Sequence, residues 1–294
     1  MIRIATDFSG IDAPLECLKQ MNMAYKYMFA SESNTKLHGI IETHCPERLY
    51  VDAADSSKFA KKIDLDLYVA GPPCQRYSGI TKKTSQHCGI STCIKTILFH
   101  RPTHFILENV RQAKSTLMRH SEMLARNKYK CLCITISPTM IGFPQERHRT
   151  YLIGTLEKVP TVSLVKHTRH LWDMIDQKSE TQEIKNTFVR KYKSAYPGHI
   201  LNAGNMGWHL RNNSPVLSNS RASKTTCPCL HSCYWKHFYI VDQNRYLNHS
   251  EALRLQGFRS SVDFSGMTKA DIGRAVGNSM CVPVIMTLVR ALLS

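Results

Sequence analysis

The chain has 294 residues, 43% of them hydrophobic, with 14 Gly and 12 Pro, which is enough to bury a full core and excludes a disordered tail. Its formal net charge of +17 is uneven: residues 1–110 carry 13 basic and 11 acidic groups, residues 111–245 carry 21 and 8. A middle segment this basic fits a polyanion, nucleic acid first, because neutralised phosphates release counterions, although a merely soluble basic surface accounts for the charge as well.

Ile2 to Phe8 reads as a first strand, Ser9-Gly10 as a turn, and Asp12-Ala13-Pro14 as the start of a helix with Asp12 as its cap. Tyr25 to Ser31 is a second strand ending in Glu32. Leu65 to Ala70 is another, broken by Gly71-Pro72-Pro73, and Thr103 to Leu107 another, ending at Glu108. Gln145 to Gly154 reads as a further strand, which by the period of two puts Gln145, Arg147 and Arg149 on one face. Strands alternating with helical patterns are how a parallel sheet flanked by helices is written, and ligands bind such sheets at the carboxyl ends of the strands.

From about residue 155 to 245 this rhythm gives way to a polar, basic and aromatic segment containing Tyr192, Tyr196, Trp208, His209, Arg211, Trp235 and Lys236. A helical pattern resumes at Ser250, and Val282 to Leu293 forms an apolar closing helix. The expected division is a first domain over 1–154, a smaller one over 155–245, and a return segment over 246–294. Eleven cysteines without a framework read as reduced thiols. With no charged-then-apolar leader and no run of about 18 apolar residues evident, an intracellular protein of cytoplasm or nucleus is expected, neither secreted nor membrane-bound.

Several residues carry candidate chemistry. Cys74 follows Gly71-Pro72-Pro73, a stiff loop that presents a thiol instead of burying it, which suits a nucleophile; alone, an inert loop thiol explains it as well. Glu108 lies at the mouth of a neighbouring strand, where a carboxyl group can relieve charge building on a ring nitrogen or serve as a salt-bridge partner. Arg147 and Arg149 invite an anion, or form a solvated edge. Phe8-Ser9-Gly10 followed by Glu32 suits a ligand with ribose hydroxyls, and by itself fits a dinucleotide enzyme nearly as well. Asp52 can accept from an adenine amino group or occupy a turn. Cys227, Cys229, His231 and Cys233, at every second position, read as one packed face of a strand; their spacing is poor for zinc, and no metal is expected.

Taken in order, Phe8-Ser9-Gly10, Glu32, Asp52, Pro72-Pro73-Cys74-Gln75, Glu108-Asn109-Val110, the Gln145/Arg147/Arg149 triplet, Glu251 with Arg254-Leu255-Gln256-Gly257-Phe258, and Gly277-Asn278-Ser279 with Pro283 resemble the cytosine-C5 DNA methyltransferases. The resemblance implies an α/β, Rossmann-like S-adenosylmethionine-dependent methyltransferase domain, its mostly parallel sheet covered by helices on both faces, plus a target-recognition domain over the variable region. It implies a monomeric enzyme acting on double-stranded DNA. Cys74 would attack C6 of a flipped-out cytosine, Glu108 would engage N3, and Arg147 and Arg149 would supply polar contacts. Phe8, Ser9, Gly10, Glu32, Asp52, Pro72, Asn278 and Ser279 would line the S-adenosylmethionine site.

One departure stands out: where the family usually repeats glycine, this chain has Asp12, expected as a helix cap that leaves cofactor binding intact. Two rivals keep the fold, a tRNA cytosine-5 methyltransferase and a catalytically silent DNA-binding regulator. The first typically carries Cys-Phe-Thr where Thr226-Cys227-Pro228-Cys229-Leu230 stands here, and intact Cys74, Glu108, Arg147 and Arg149 argue against the second.

Overall fold

The structure, a computed structural model, describes residues 1–73, 89–166, 168–177, 187–203 and 222–293. Cys74, Gln75, Trp208, His209 and Arg211 lie outside the described residues. The chain divides into two compact units, one of residues 1–136, 148–164 and 280–294, the other of 137–147 and 165–279. The second unit therefore takes in more than the 155–245 segment set apart by composition.

The first unit is built on a seven-stranded sheet. In chain order its elements are β1 (Ile2–Asp7), α1 (Ala13–Gln20), β2 (Tyr25–Ser31), α2 (His38–Glu42), β3 (Leu49–Tyr50), β4 (Leu67–Ala70), α3 (Gly89–His100), β5 (His104–Val110), α4 (Lys114–Arg126), β6 (Lys130–Ile136) and β7 (Arg149–Thr155). The strand order is β3-β2-β1-β4-β5-β7-β6, parallel from β3 through β5, with β7 antiparallel to both neighbours. This is the Rossmann-like methyltransferase arrangement expected from the sequence. Alternation along the strands divides the core. Ala5, Phe29, Tyr68, Ala70, Phe105, Leu107 and Leu152 join Ile90, Ile94 and Ile97 of α3 and Leu117 and Leu124 of α4. The intervening residues Ile4, Ala30, Val69, Ile106 and Ile153 are buried too, on the face where α1 packs against the closing helix. Burial on both faces is why these strands read as continuous apolar runs.

The order reverses between β1 and β4, a topological switch point, so the crevice for a ligand lies at the carboxyl ends of these strands. Two strand ends differ from expectation. The fifth strand runs on through Glu108 and Asn109 to Val110, because its ladder with β7 continues to the pair Val110 and Arg149. The Gln145 to Gly154 segment is strand only from Arg149 onward. Before it, Gln145 forms a single bridge to Cys227, and the Arg147 amide donates to Ser137 Oγ (3.1 Å) instead of to a ladder carbonyl.

In the second unit the described elements are α5 (Thr187–Tyr192), β8 (Ile200–Asn202), β9 (Ala222–Ser223), α6 (Tyr234–His237), β10 (Phe238–Ile240), β11 (Arg245–Tyr246), α7 (His249–Leu255) and α8 (Lys269–Asn278), with a four-stranded sheet ordered β11-β10-β8-β9. Its small core of Val189, Leu201, Ala203, Ala222 and Tyr239 takes in Tyr192 and Tyr196, so part of the aromatic content is packing material. Residues 227–233 are not the expected strand. After the bridge at Cys227 the chain is irregular and turns at Cys233, whose amide donates to His231 Nδ1 (3.1 Å), and Pro228 has no amide to give a ladder. Among the described residues, no three His, Cys, Asp or Glu side chains are grouped to hold a metal ion.

The chain ends with α9 (Val282–Leu293), which belongs to the first unit. Contrary to the expectation of no long apolar run, residues 269–293 are apolar and long enough to cross a membrane by length and composition. The most apolar 18-residue window within them is 67% buried in the protein, as core helices are.

Candidate active site

In the first unit, the β1 end makes a sharp turn. Phe8 (φ +56°), Gly10 (φ +59°) and Asp12 (φ +54°) all take the left-handed conformation, costly for a bulky residue such as Phe8 and characteristic of ligand sites. The turn is held by the Ser9 amide and hydroxyl, which both donate to the Ser31 carbonyl (3.0 and 3.2 Å). Glu32, just past β2, accepts from the Gly10 amide (2.9 Å) through Oε2 and from the Asn34 amide (2.8 Å) through Oε1. A carboxylate fixed by two amides keeps lone pairs for two more donors, as a ribose diol requires. Open space lies over Gly10, where an added Cβ would meet nothing within 4 Å. Asp52 is exposed and shapes its own turn, accepting from the Ala54 amide (2.9 Å). Pro72 is buried, and with the Phe8 ring it crowds the space beside Gly89. This set fits a nucleoside: a rigid hydroxyl acceptor, an exposed carboxylate, an aromatic edge and an open backbone.

Asp12 does not cap α1. Its left-handed backbone turns the side chain inward, where Oδ1 accepts from Tyr27 Oη (2.8 Å) and Thr6 Oγ1 (3.4 Å), while Oδ2 is buried without a hydrogen-bond partner. It therefore neither caps the helix nor faces a ligand. Burial pushes its pKa up from 3.8 to about 8, against the smaller opposing effect of the Tyr27 and Thr6 hydrogen bonds. The native state thus holds a proton that the unfolded chain releases near pH 4, so stability is greatest at low pH and is lost as pH rises to about 8. Asp12→Asn, which retains the acceptor and tolerates positive φ, is expected to remove this slope. Urea unfolding between pH 5 and 8 should show wild type losing about 1.4 kcal/mol per pH unit relative to the variant. Parallel curves would show that Asp12 stays ionised.

At the β5 edge, consecutive residues point opposite ways. Asn109 Nδ2 donates to the Pro72 carbonyl (3.0 Å), tying down the loop that leads to Cys74. Glu108, 8% exposed, lies with Oε1 3.1 Å from Arg149 Nε. The register explains that contact: Arg149 stands opposite Val110, two residues from Glu108 and on the same face, within diagonal reach. Glu108 Oε2 lies by Gly71, at 3.7 Å from where a Cβ would be.

Arg147 has a different place. Only 3% exposed, it donates through Nη1 to the carbonyls of Leu230 (3.0 Å) and Gly277 (3.1 Å), and through Nη2 to that of Ser279 (2.9 Å). Gln145 donates to the Leu255 carbonyl (2.6 Å) and to Gln256, which reaches the Val276 carbonyl (2.8 Å). Two members of the triplet are thus committed to the second unit's scaffold, and Arg149 alone joins Glu108. The period of two does not hold across 145–148, because that stretch is not strand. Asn278 is exposed and Ser279 buried at the end of α8 in that unit. Glu251 and Arg254 serve the same scaffold. Buried Glu251 pairs with Arg245 and accepts from the Asp176 amide (2.9 Å), and Arg254 Nε donates to the Met174 carbonyl (2.9 Å).

A family model for C-5 cytosine-specific DNA methylase matches residues 4–294. The chain belongs to that family. Among curated methylases, it is 26% identical to the type II methyltransferase M.NlaX of Neisseria lactamica over 84% of this chain and 80% of that one. It is 23% identical to M.HaeII of Haemophilus aegyptius over 92% and 86%. Among solved structures, the Entamoeba histolytica methyltransferase EhMeth superposes with a TM-score of 0.72 at 19% identity, covering 100% of this chain and 98% of that one. Dnmt2 of S. pombe gives 0.70 at 16% identity over 100% and 98%. These two share the fold. The chain is accordingly an S-adenosylmethionine-dependent cytosine C5 methyltransferase of the DNA methylase family, and S-adenosylmethionine is the donor that the family implies.

Proposed function

We propose that this methylase transfers a methyl group to C5 of a cytosine flipped out of double-stranded DNA, by way of a covalent bond between Cys74 Sγ and C6. The observation that carries this reading is the β5 edge, where Glu108 is paired with Arg149 and the next residue ties the Pro72 carbonyl, two positions before Cys74. A thiolate adding to C6 pushes an electron pair toward C5 and N3. Glu108, oriented by Arg149, stabilises the ring by holding a proton at N3, and the electron-rich C5 becomes nucleophilic. Bound S-adenosylmethionine supplies the electrophilic methyl. Loss of the C5 proton to water then expels Sγ as the thiolate, the N3 proton returns to Glu108, and the ring is restored. Phe8, Ser9, Gly10, Glu32, Asp52 and Pro72 of the first unit would hold the donor.

Residues 155–245 are proposed as the target-recognition segment, and the basic balance of 111–245 supports contact with phosphates. The chemistry requires extrusion of the base, because the ring face is blocked in a stacked duplex.

Methyl transfer from labelled donor to duplex DNA and to tRNA, side by side, tests the proposal. Label in DNA as 5-methylcytosine, absent with Cys74→Ala, is expected. Label in tRNA alone would move the substrate to RNA, and label in neither would leave a silent binder.

A further inference from the structure

The ends of the first unit's strands converge on a buried ion pair that the proposed reaction does not use. Asp7, the last residue of β1, is 1% exposed and Lys58 equally so. Lys58 Nζ donates to Asp7 Oδ2 (2.7 Å) and to the Ala53 carbonyl (2.7 Å), and lies 5.3 and 5.4 Å from the ring centres of Phe29 and Phe59. The same Asp7 oxygen accepts from Tyr68 Oη on β4 (2.7 Å) and Thr96 Oγ1 on α3 (3.3 Å), and Asp7 Oδ1 accepts from Ser31 Oγ on β2 (2.6 Å).

Three residues of this cluster are sequence neighbours of residues proposed for the donor site, and a fourth lies on a strand that leads to one. Asp7 precedes Phe8, Ser31 precedes Glu32, Ala53 follows Asp52, and Tyr68 lies on the strand leading to Pro72. A buried ion pair is an inefficient way to stabilise a fold, since desolvation offsets most of the attraction and apolar side chains serve as well. What apolar packing cannot supply is direction. The carboxylate and ammonium tie the ends of β1 and β2 to β4 and to the turn at Ala53 at once.

We propose that Asp7 and Lys58 are positioning residues for S-adenosylmethionine, holding Phe8, Glu32 and Asp52 in binding geometry from beneath. This rests on the donor-site reading above. Through the lysine, which donates to both the Ala53 carbonyl and Asp7 (2.7 Å each), the Asp52 turn has a long-range contact; its other hydrogen bonds among the described residues are local, the Asp55 amide donating to the Asp52 carbonyl (3.1 Å) and the Ala54 amide to Asp52 Oδ1.

The test is calorimetric binding of S-adenosylhomocysteine to wild type and to the double variant Asp7→Asn/Lys58→Met, in which no charge is left unpaired. The variant is expected to melt close to wild type but to bind about tenfold or more weakly. Steady-state kinetics should show a raised KM for the donor with kcat at saturation retained, whereas a merely structural lesion lowers the active fraction and leaves KM alone. A folded double variant binding within about twofold of wild type would overturn the proposal. Should it not fold, Ser31→Ala, which keeps the ion pair and loses one hydrogen bond beside Glu32, is expected to weaken binding about three- to tenfold, and unchanged affinity overturns the proposal. No binding by wild type itself would instead sink the donor-site reading.

Discussion

Glu108→Gln is expected to lower the rate of methyl transfer by about a thousandfold while leaving S-adenosylhomocysteine affinity within about twofold. The substitution is nearly isosteric, so the tight space beside Gly71 and the β5–β7 ladder is undisturbed. What it removes is the charge facing Arg149 at 3.1 Å and the ability to hold a proton on a ring nitrogen. In a site this buried, a lost electrostatic contact is not replaced by water, which is why the effect is large. Arg149→Met should follow the same pattern at about a hundredfold, because Glu108 loses the group that aims it. Single-turnover methylation of duplex DNA with prebound donor measures both. A Glu108→Gln rate within tenfold of wild type would remove Glu108 from the chemistry.

Arg147→Met is expected to act on stability, the opposite of its neighbour two residues on. Its guanidinium binds three carbonyls, of Leu230, Gly277 and Ser279, that come from two separated stretches of the second unit. The stretches are in close contact: a Cβ on Gly277 would lie 2.6 Å from the His231 carbonyl carbon and one on Gly273 2.4 Å from the Ser232 carbonyl oxygen. Methionine fills the volume and satisfies none of the carbonyls, for a cost of about 2–4 kcal/mol. Urea unfolding should therefore show a lowered midpoint for Arg147→Met relative to wild type. Equal midpoints would mean that the Arg147 contacts contribute little to the fold.

Much of this was legible in the residue order. Strands β1, β2, β4 and β5 could be read because each is a short apolar run closed by Gly, Pro or a carboxylate, and a parallel sheet buried on both faces leaves little room for other residues. Their carboxyl ends located the candidate site, since Phe8, Glu32 and Glu108 stand there by sequence position alone. The strand pattern failed at 145–148, where spacing put three polar side chains on one face: Arg147 spends its ladder amide on Ser137 and its guanidinium on distant carbonyls. Nothing local announces partners 83 and 130 residues away. Asp12 failed likewise, because an acidic residue before a helix reads as a cap until its backbone angle is known.

The sequence by itself determined the family and the parallel core of the sheet, because these depend on residue type and local spacing. Only the tertiary structure decided that Arg149 and not Arg147 meets Glu108, that Asp12 is buried beside Tyr27, and that Asp7 and Lys58 form a pair across 51 residues. Burial and long-range partnership set the charge state and direction of a polar side chain, and neither is encoded in its neighbours along the chain.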